Sequence, residues 1–146
     1  MRIGVLDVGS NTAQLVVADI GNGVPLPVHA MKEAVRLPEV VGRDGELGEE
    51  AIDRLATAVG VAVAQARRWE VRELFAYATA VVRDAPNRDA ALAEIEERTG
   101  VRLGMLSGTE EAELTFLAVR RWMGWRAGPL LLLDIGGGSA EIAYGH

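Results

Sequence analysis

Apolar and polar positions change period more than once along the chain. Arg2 to Val8 reads as a buried strand that runs into a polar tip, Asp7-Val8-Gly9-Ser10-Asn11, and Ala13 to Ile20 is a second short run rich in β-branched residues. The Gly21-Asn22-Gly23 cluster is a turn signal, after which Val24 to Arg36 reads as extended. Pro25 and Pro27 mark that run as an edge strand or a broken one. Helical spacing then takes over. Ala51, Ile52, Leu55, Ala58, Val59, Ala62, Val63 and Ala66 share one face of a helix predicted from about Gly48 to Arg68. Gly60 inside it either costs stability or marks close packing.

Further on, strands alternate with helices. Val71 to Thr79 reads as a strand, a helix starts near Pro86 and ends at Gly100, and Val101 to Leu106 is a further strand candidate. Ser107-Gly108-Thr109-Glu110 fits a capping box opening a helix to about Met123. Leu130 to Leu133 is a buried strand ending in Asp134-Ile135-Gly136-Gly137-Gly138-Ser139. The order βββαβαβα, followed by one more strand and its turn, predicts an α/β fold with a mixed sheet covered by helices. The one soft segment is the Pro- and Gly-containing loop from Leu37 to Glu50.

Composition narrows the chemistry. The 146 residues carry a formal charge of -6, with 49% hydrophobic and 25% charged residues, the balance of a globular protein. The acidic balance argues against non-specific nucleic-acid binding, and no apolar run approaches the ~20 residues that span a bilayer. With no secretory signal legible either, a cytoplasmic location is expected. No cysteine is present, and the two histidines, His29 and His146, lack the company of a triad or a multi-His metal site. Catalysis here would use carboxylates, hydroxyls, arginine, backbone amides and a hard cation such as Mg²⁺.

The strongest feature is an internal repeat. Leu6 to Leu15 lies over Leu133 to Ile142 with Asp7 on Asp134, Gly9 on Gly136 and Ala13 on Ala140, while Thr12/Ser139, Gln14/Glu141 and Leu15/Ile142 are conservative pairs. Each copy is a strand, a tight turn of small and hydroxyl residues, and the start of a returning strand. Such a turn can aim several backbone N–H groups at one anion. An Asp at the strand end can hold Mg²⁺ or a water beside it. The structural alternative is a pair of ordinary hairpin turns whose Asp residues cap the backbone.

Four segments, in order, resemble the N-terminal part of the exopolyphosphatase / guanosine pentaphosphate phosphohydrolase (Ppx/GppA) family. They are Asp7-Val8-Gly9-Ser10-Asn11-Thr12, Ala78-Thr79-Ala80-Val81-Val82-Arg83-Asp84-Ala85-Pro86-Asn87, Ser107-Gly108-Thr109-Glu110-Glu111-Ala112, and Asp134-Ile135-Gly136-Gly137-Gly138-Ser139-Ala140-Glu141. The resemblance implies an actin-like ATPase, ribonuclease-H-like fold of two lobes with the active site between them. Residues 1–128 would form the first lobe and 129–146 the start of the second, truncated here. It further implies Glu111 as the carboxylate that activates water and Arg83 as a phosphate ligand that also stabilises transition-state charge. Asp7, Asp134 and Glu141 would serve Mg²⁺ or the water. Ser10, Asn11, Thr12, Gly136, Gly137, Gly138 and Ser139 would contact phosphates. Ala80, Ala140 and Gln14 stand where the family often carries Ser, Thr and Arg.

The implied substrates are inorganic polyphosphate or guanosine pentaphosphate, and the implied partners are the second lobe and a second copy of the chain. Two other readings stand beside this one: an ATP-dependent kinase of the same superfamily, and a non-catalytic phosphate- or alarmone-binding module. Glu111 could instead complement the helix dipole with Glu110, and Arg83 could be a surface residue paired with Asp84 or Glu73. Trp69, Trp122 and Trp125 read as packing residues, the last two also as a lobe interface. His29 reads as an exposed strand residue, and Glu94, Glu96 and Glu97 as a solvated helix face.

Overall fold

Alternate side chains of the first two strands are removed from water, and this alternation builds the sheet. In the computed structural model, which describes residues 1–21, 24–137 and 139–146, the contacts divide the chain into two compact units, Met1–Met105 and Leu106–His146. The turn expected at Asn22 and Gly23 and the phosphate contact expected at Gly138 lie outside the described residues, as does the packing expected of the Trp125 side chain.

In the first unit, β1 (Arg2–Val8) pairs antiparallel with β2 (Thr12–Gly21), from Arg2 opposite Asp19 to Val8 opposite Ala13. β3 (Val24–Ala34) continues the meander antiparallel to β2, with a register shift between Val17 and Ala18. β4 (Glu73–Ala78) pairs parallel to β1, and β5 (Gly104–Met105) parallel to β4, giving the order β3-β2-β1-β4-β5. The sheet is mixed, as predicted.

Leu6, Val8, Leu15 and Val17 are fully buried. Against their sheet lies α1 (Glu49–Arg68), which buries Ala51, Leu55, Ala58, Val59, Ala62 and Ala66 on one stripe. Each Leu or Val taken out of water in this way contributes about 1.5–3 kcal/mol. The many alanines let the helix backbone approach the strands.

Two expectations change. The strand predicted over Val101–Leu106 pairs only at Gly104 and Met105, opposite Tyr77 and Ala78. Between β4 and the next long helix, α3 (Arg88–Thr99), a four-residue helix α2 (Ala80–Arg83) intervenes. Gly100 ends α3 in the left-handed conformation, φ 72°, which a residue without Cβ adopts at least cost.

The segment read from sequence as soft, Leu37 to Glu50, is anchored, and its last two residues already belong to α1. Leu37 and Leu47 are buried to 0% and 1% exposure, and Leu37–Glu39 forms one 3-10 turn. Arg54 of α1 donates to the carbonyl of Arg36 at 3.1 Å and to Glu39 at 3.1 Å. This strap passes from the end of β3 to the start of α1.

The second unit is α4 (Gly108–Met123) with the hairpin of β6 (Leu130–Ile135) and β7 (Ala140–Gly145). The hairpin packs on the helix, and the ring of Phe116 lies directly over Gly145, where a Cβ would come within 2.9 Å of it. α4 therefore groups with the hairpin in this division. Trp122, expected to pack, is 89% exposed. Trp69 does pack: His29 stacks on it at 4.6 Å and 17°, half-buried rather than exposed, and Arg2 donates to the Trp69 carbonyl at 2.8 Å. Glu94, Glu96 and Glu97 are exposed as expected.

Candidate functional site

The repeat seen in sequence recurs as a hydrogen-bonding pattern inside each unit. In the first hairpin the amide of Gly9 donates to the carbonyl of Thr12 at 2.9 Å, while in the second Gly136 donates to Ser139 at the same 2.9 Å. Asp7 is paired across its hairpin with Gln14, and Asp134 with Glu141, the positions that the repeat matches. Of the two turn glycines the first is the more confined. A Cβ on Gly9 would sit 3.2 Å from the Thr12 carbonyl oxygen, and one on Gly136 would sit 3.4 Å from that of Ser139.

In the first unit, Asp7, Asn11 and Thr12 are exposed and Ser10 is buried. The turn is held from behind. Leu37 donates to the Ser10 carbonyl at 2.7 Å, and Val35 and Arg36 both donate to that of Asn11, at 2.8 and 3.1 Å. With those carbonyls engaged and the Gly9 amide closing the turn, the exposed Asn11 and Thr12 side chains are what the turn presents to an anion.

Arg83 arrives beside this hairpin through β4. The amide of Thr79 donates to the Val8 carbonyl at 3.1 Å, and α2 starts one residue later. Ala80, Val82 and Ala85 are buried and fix the short helix, with Arg83 at its last position. The Arg83 side chain is only 18% exposed, and its Nε lies 3.3 Å from the Asp84 carboxylate. The Asp84 pairing weighed from sequence is thus present, to a carboxylate 69% exposed. An exposed contact of that kind is worth little by itself.

Asn87 makes a contact that the sequence does not foretell. Its side chain accepts from the amide of Leu47 at 3.0 Å and donates to the Leu47 carbonyl at 2.9 Å. Nothing local announces a bond between residues so far apart in sequence.

In the second unit, Ser107 caps α4 and the capping box is complete. Its hydroxyl accepts from the Glu110 amide at 3.2 Å, and Glu110 accepts from the Ser107 amide at 2.8 Å. The Ser107 amide, and then its hydroxyl, hold the Glu110 carboxyl below its ordinary pKa. The two adjacent carboxylates therefore differ: Glu110 is committed to the cap, and Glu111 is half-buried beside it.

Glu141 and Asp134 lie opposite one another on β7 and β6, both half-buried. An open groove of about 550 Å³ runs between the start of α4 and β7, lined by Gly108, Thr109, Glu113, Glu141 and Ala143 among others. Gly136 and Gly137 are exposed in the turn, and Ser139 is half-buried. Among the described residues no group of three or more His, Asp or Glu is close enough to hold a metal by itself. Asp134 and Glu141 are two carboxylates at paired positions of one hairpin, and Mg²⁺ commonly takes one or two from a protein.

The fold and these turns define a class, α/β proteins of the actin-like kind. Over 99% of this chain and 46% of the other, the structure matches an exopolyphosphatase from Cytophaga hutchinsonii with a TM-score of 0.89 at 31% identity. It matches the Aquifex aeolicus member of the Ppx/GppA family with a TM-score of 0.84 at 25% identity, over 99% and 47%. In sequence the chain is 58% identical to an uncharacterised protein of Streptomyces coelicolor, covering 100% of this chain and 44% of that one. It is 46% identical to exopolyphosphatase 1 of Mycobacterium leprae, covering 99% and 43%. A model of the Ppx/GppA phosphatase family matches residues 16–146. The chain belongs to the Ppx/GppA phosphatase family, and it spans less than half the length of these relatives.

Proposed function

We propose that the chain serves an exopolyphosphatase reaction, the release of terminal orthophosphate from inorganic polyphosphate. The observation that carries this reading is the twofold turn, closed from Gly9 to Thr12 and from Gly136 to Ser139 at 2.9 Å in each copy. Family membership and the names of the relatives, several of them exopolyphosphatases, support it. In this reading residues 1–128 are the first lobe and 129–146 open the second, with the rest of that lobe, or a second copy, as partner.

Water attacks the terminal phosphorus, and its proton passes to the Glu111 carboxylate. The phosphoanhydride P–O bond breaks, orthophosphate leaves, and the shortened chain keeps the bridging oxygen with its charge. Arg83 binds the non-bridging oxygens and opposes the charge that builds on them. Ser10, Asn11, Thr12, Gly136, Gly137, Gly138 and Ser139 hold phosphates along the chain. Asp7, Asp134 and Glu141 would hold Mg²⁺, which supplies charge neutralisation when bound. Guanosine pentaphosphate is the second substrate, carrying the same terminal anhydride, and a binding module without turnover is the non-enzymatic alternative. A cytoplasmic location accords with both substrates. Among the described residues no helix is long and apolar enough to cross a membrane.

The test is orthophosphate release from polyphosphate and from guanosine pentaphosphate with Mg²⁺. It uses this chain, any longer product of the same reading frame, and Glu111→Ala in each. Loss of a general base is expected to lower the rate by about 100-fold or more. Release that survives Glu111→Ala undiminished sinks the assigned role. No release from either substrate by any form sinks the hydrolase reading and favours the binding module.

A further inference from the structure

We infer that Asn87 is a positioning residue for Arg83, and that the strap at residues 35–48 sets the spacing between Arg83 and the first phosphate turn; this rests on the phosphate-binding reading of both. The strap is tied at its two ends to the two halves of that site. At its start, Val35, Arg36 and Leu37 donate three backbone hydrogen bonds to Asn11 and Ser10, the turn itself. At its finish, Leu47 is gripped by the Asn87 side chain at both its N–H and its C=O, at 3.0 and 2.9 Å.

What lies between is stiff. Leu37 and Leu47 are inserted in the core, Val40 and Val41 both donate to the Leu37 carbonyl at 2.9 Å, and Arg54 pins Arg36 and Glu39 to α1. On the other side of the clamp the chain from Arg83 to Asn87 is also short of freedom. Ala85 is buried, and Arg88 donates to the Arg83 carbonyl at 3.0 Å. Arg83 is therefore located by two routes. One runs through β4, by the Thr79 bond to Val8, and the other through Asn87, the strap and the turn. Two ties on one short segment fix its orientation as well as its position, which one tie cannot do.

An amide side chain is what this place calls for. Asparagine offers one acceptor and one donor side by side, the complement of the N–H and C=O that one residue presents together. Aspartate would accept from the Leu47 amide but set a carboxylate oxygen against the Leu47 carbonyl. Alanine would leave both Leu47 groups, on a residue 1% exposed, without these partners.

The experiment measures affinity for inorganic tripolyphosphate by calorimetry, using the full chain and four variants: Asn87→Ala, Asn87→Asp, Arg83→Ala and the double variant Asn87→Ala/Arg83→Ala. Val17→Ala, which truncates a fully buried residue opposite Gly4 and away from the turn, is the control for lost stability. Asn87→Ala and Asn87→Asp are expected to weaken binding about 3- to 10-fold, and Val17→Ala to leave it unchanged. In the Arg83→Ala background, Asn87→Ala should have no further effect, because its influence passes through Arg83. The positioning role is overturned if Asn87→Ala binds like the unmodified chain, if Val17→Ala weakens binding equally, or if the two losses simply multiply. An unmodified chain with no affinity for tripolyphosphate overturns the phosphate reading along with it.

Discussion

Replacing Gly60 with alanine is expected to stabilise the first unit. Gly60 sits inside the twenty-residue α1, half-exposed, and its φ is not positive. A Cβ built there meets no atom within 4 Å beyond the helix's own backbone. Of the two readings the sequence allowed, close packing is thereby removed and a plain helix-propensity cost remains. Glycine in a helix interior costs about 0.5–1 kcal/mol relative to alanine, through its greater freedom in the unfolded chain. For a unit near 100 residues, 1 kcal/mol moves the midpoint by about 4–8 °C, so the expected gain is about 2–8 °C. Thermal unfolding followed by helix circular dichroism reads it directly, with urea titration to check that the slope is unchanged. An unchanged or lowered midpoint would refute the reasoning, because it would mean that the open space beside Gly60 is filled in solution.

The same unit should lose about 2–5 kcal/mol on Leu55→Ala, since this side chain of α1 is wholly buried; a urea-derived loss below about 1 kcal/mol would contradict the packing described. The capping box on α4 gives a pH dependence. The Glu110 pKa is lowered on folding, so its stabilising contribution is whole above the unfolded value and fades as pH falls through the folded one. Thermal midpoints of the unmodified chain should therefore fall more steeply below about pH 5 than those of Glu110→Gln, and parallel curves would refute the box as a source of stability.

Much of this was legible in the sequence because the signals are local. The α1 stripe, the Ser107–Glu110 spacing and the Gly100 stop each lie within a few residues of what they specify. The repeat was legible for a related reason, as a turn and its flanking pairs form one continuous segment. What was hidden depends on partners far along the chain. The β5 strand is cut to Gly104 and Met105 because only they find register against Tyr77 and Ala78. His29 is covered because α1 brings Trp69 over it, whereas nothing covers most of Trp122. The candidate site divides in the same way. Its turns and the place of Glu111 at a helix start could be read directly, but the Asn87 clamp joins segments that no periodicity connects.

The outer strands of the five-stranded sheet bear on how such chains behave when crowded. An uncovered strand edge is a template on which a neighbouring molecule can add its own backbone, the first step of disordered aggregation. β3 is eleven residues long and would be hazardous on that ground. A newcomer lining up along it meets Pro25 and Pro27, which have no N–H to share, then the register shift opposite Val17 and Ala18, then the charges of Lys32 and Glu33. The opposite edge, β5, is only two residues long and offers too little backbone to hold a stranger. Irregularities that look like flaws in a strand thus keep neighbouring molecules from joining the sheet.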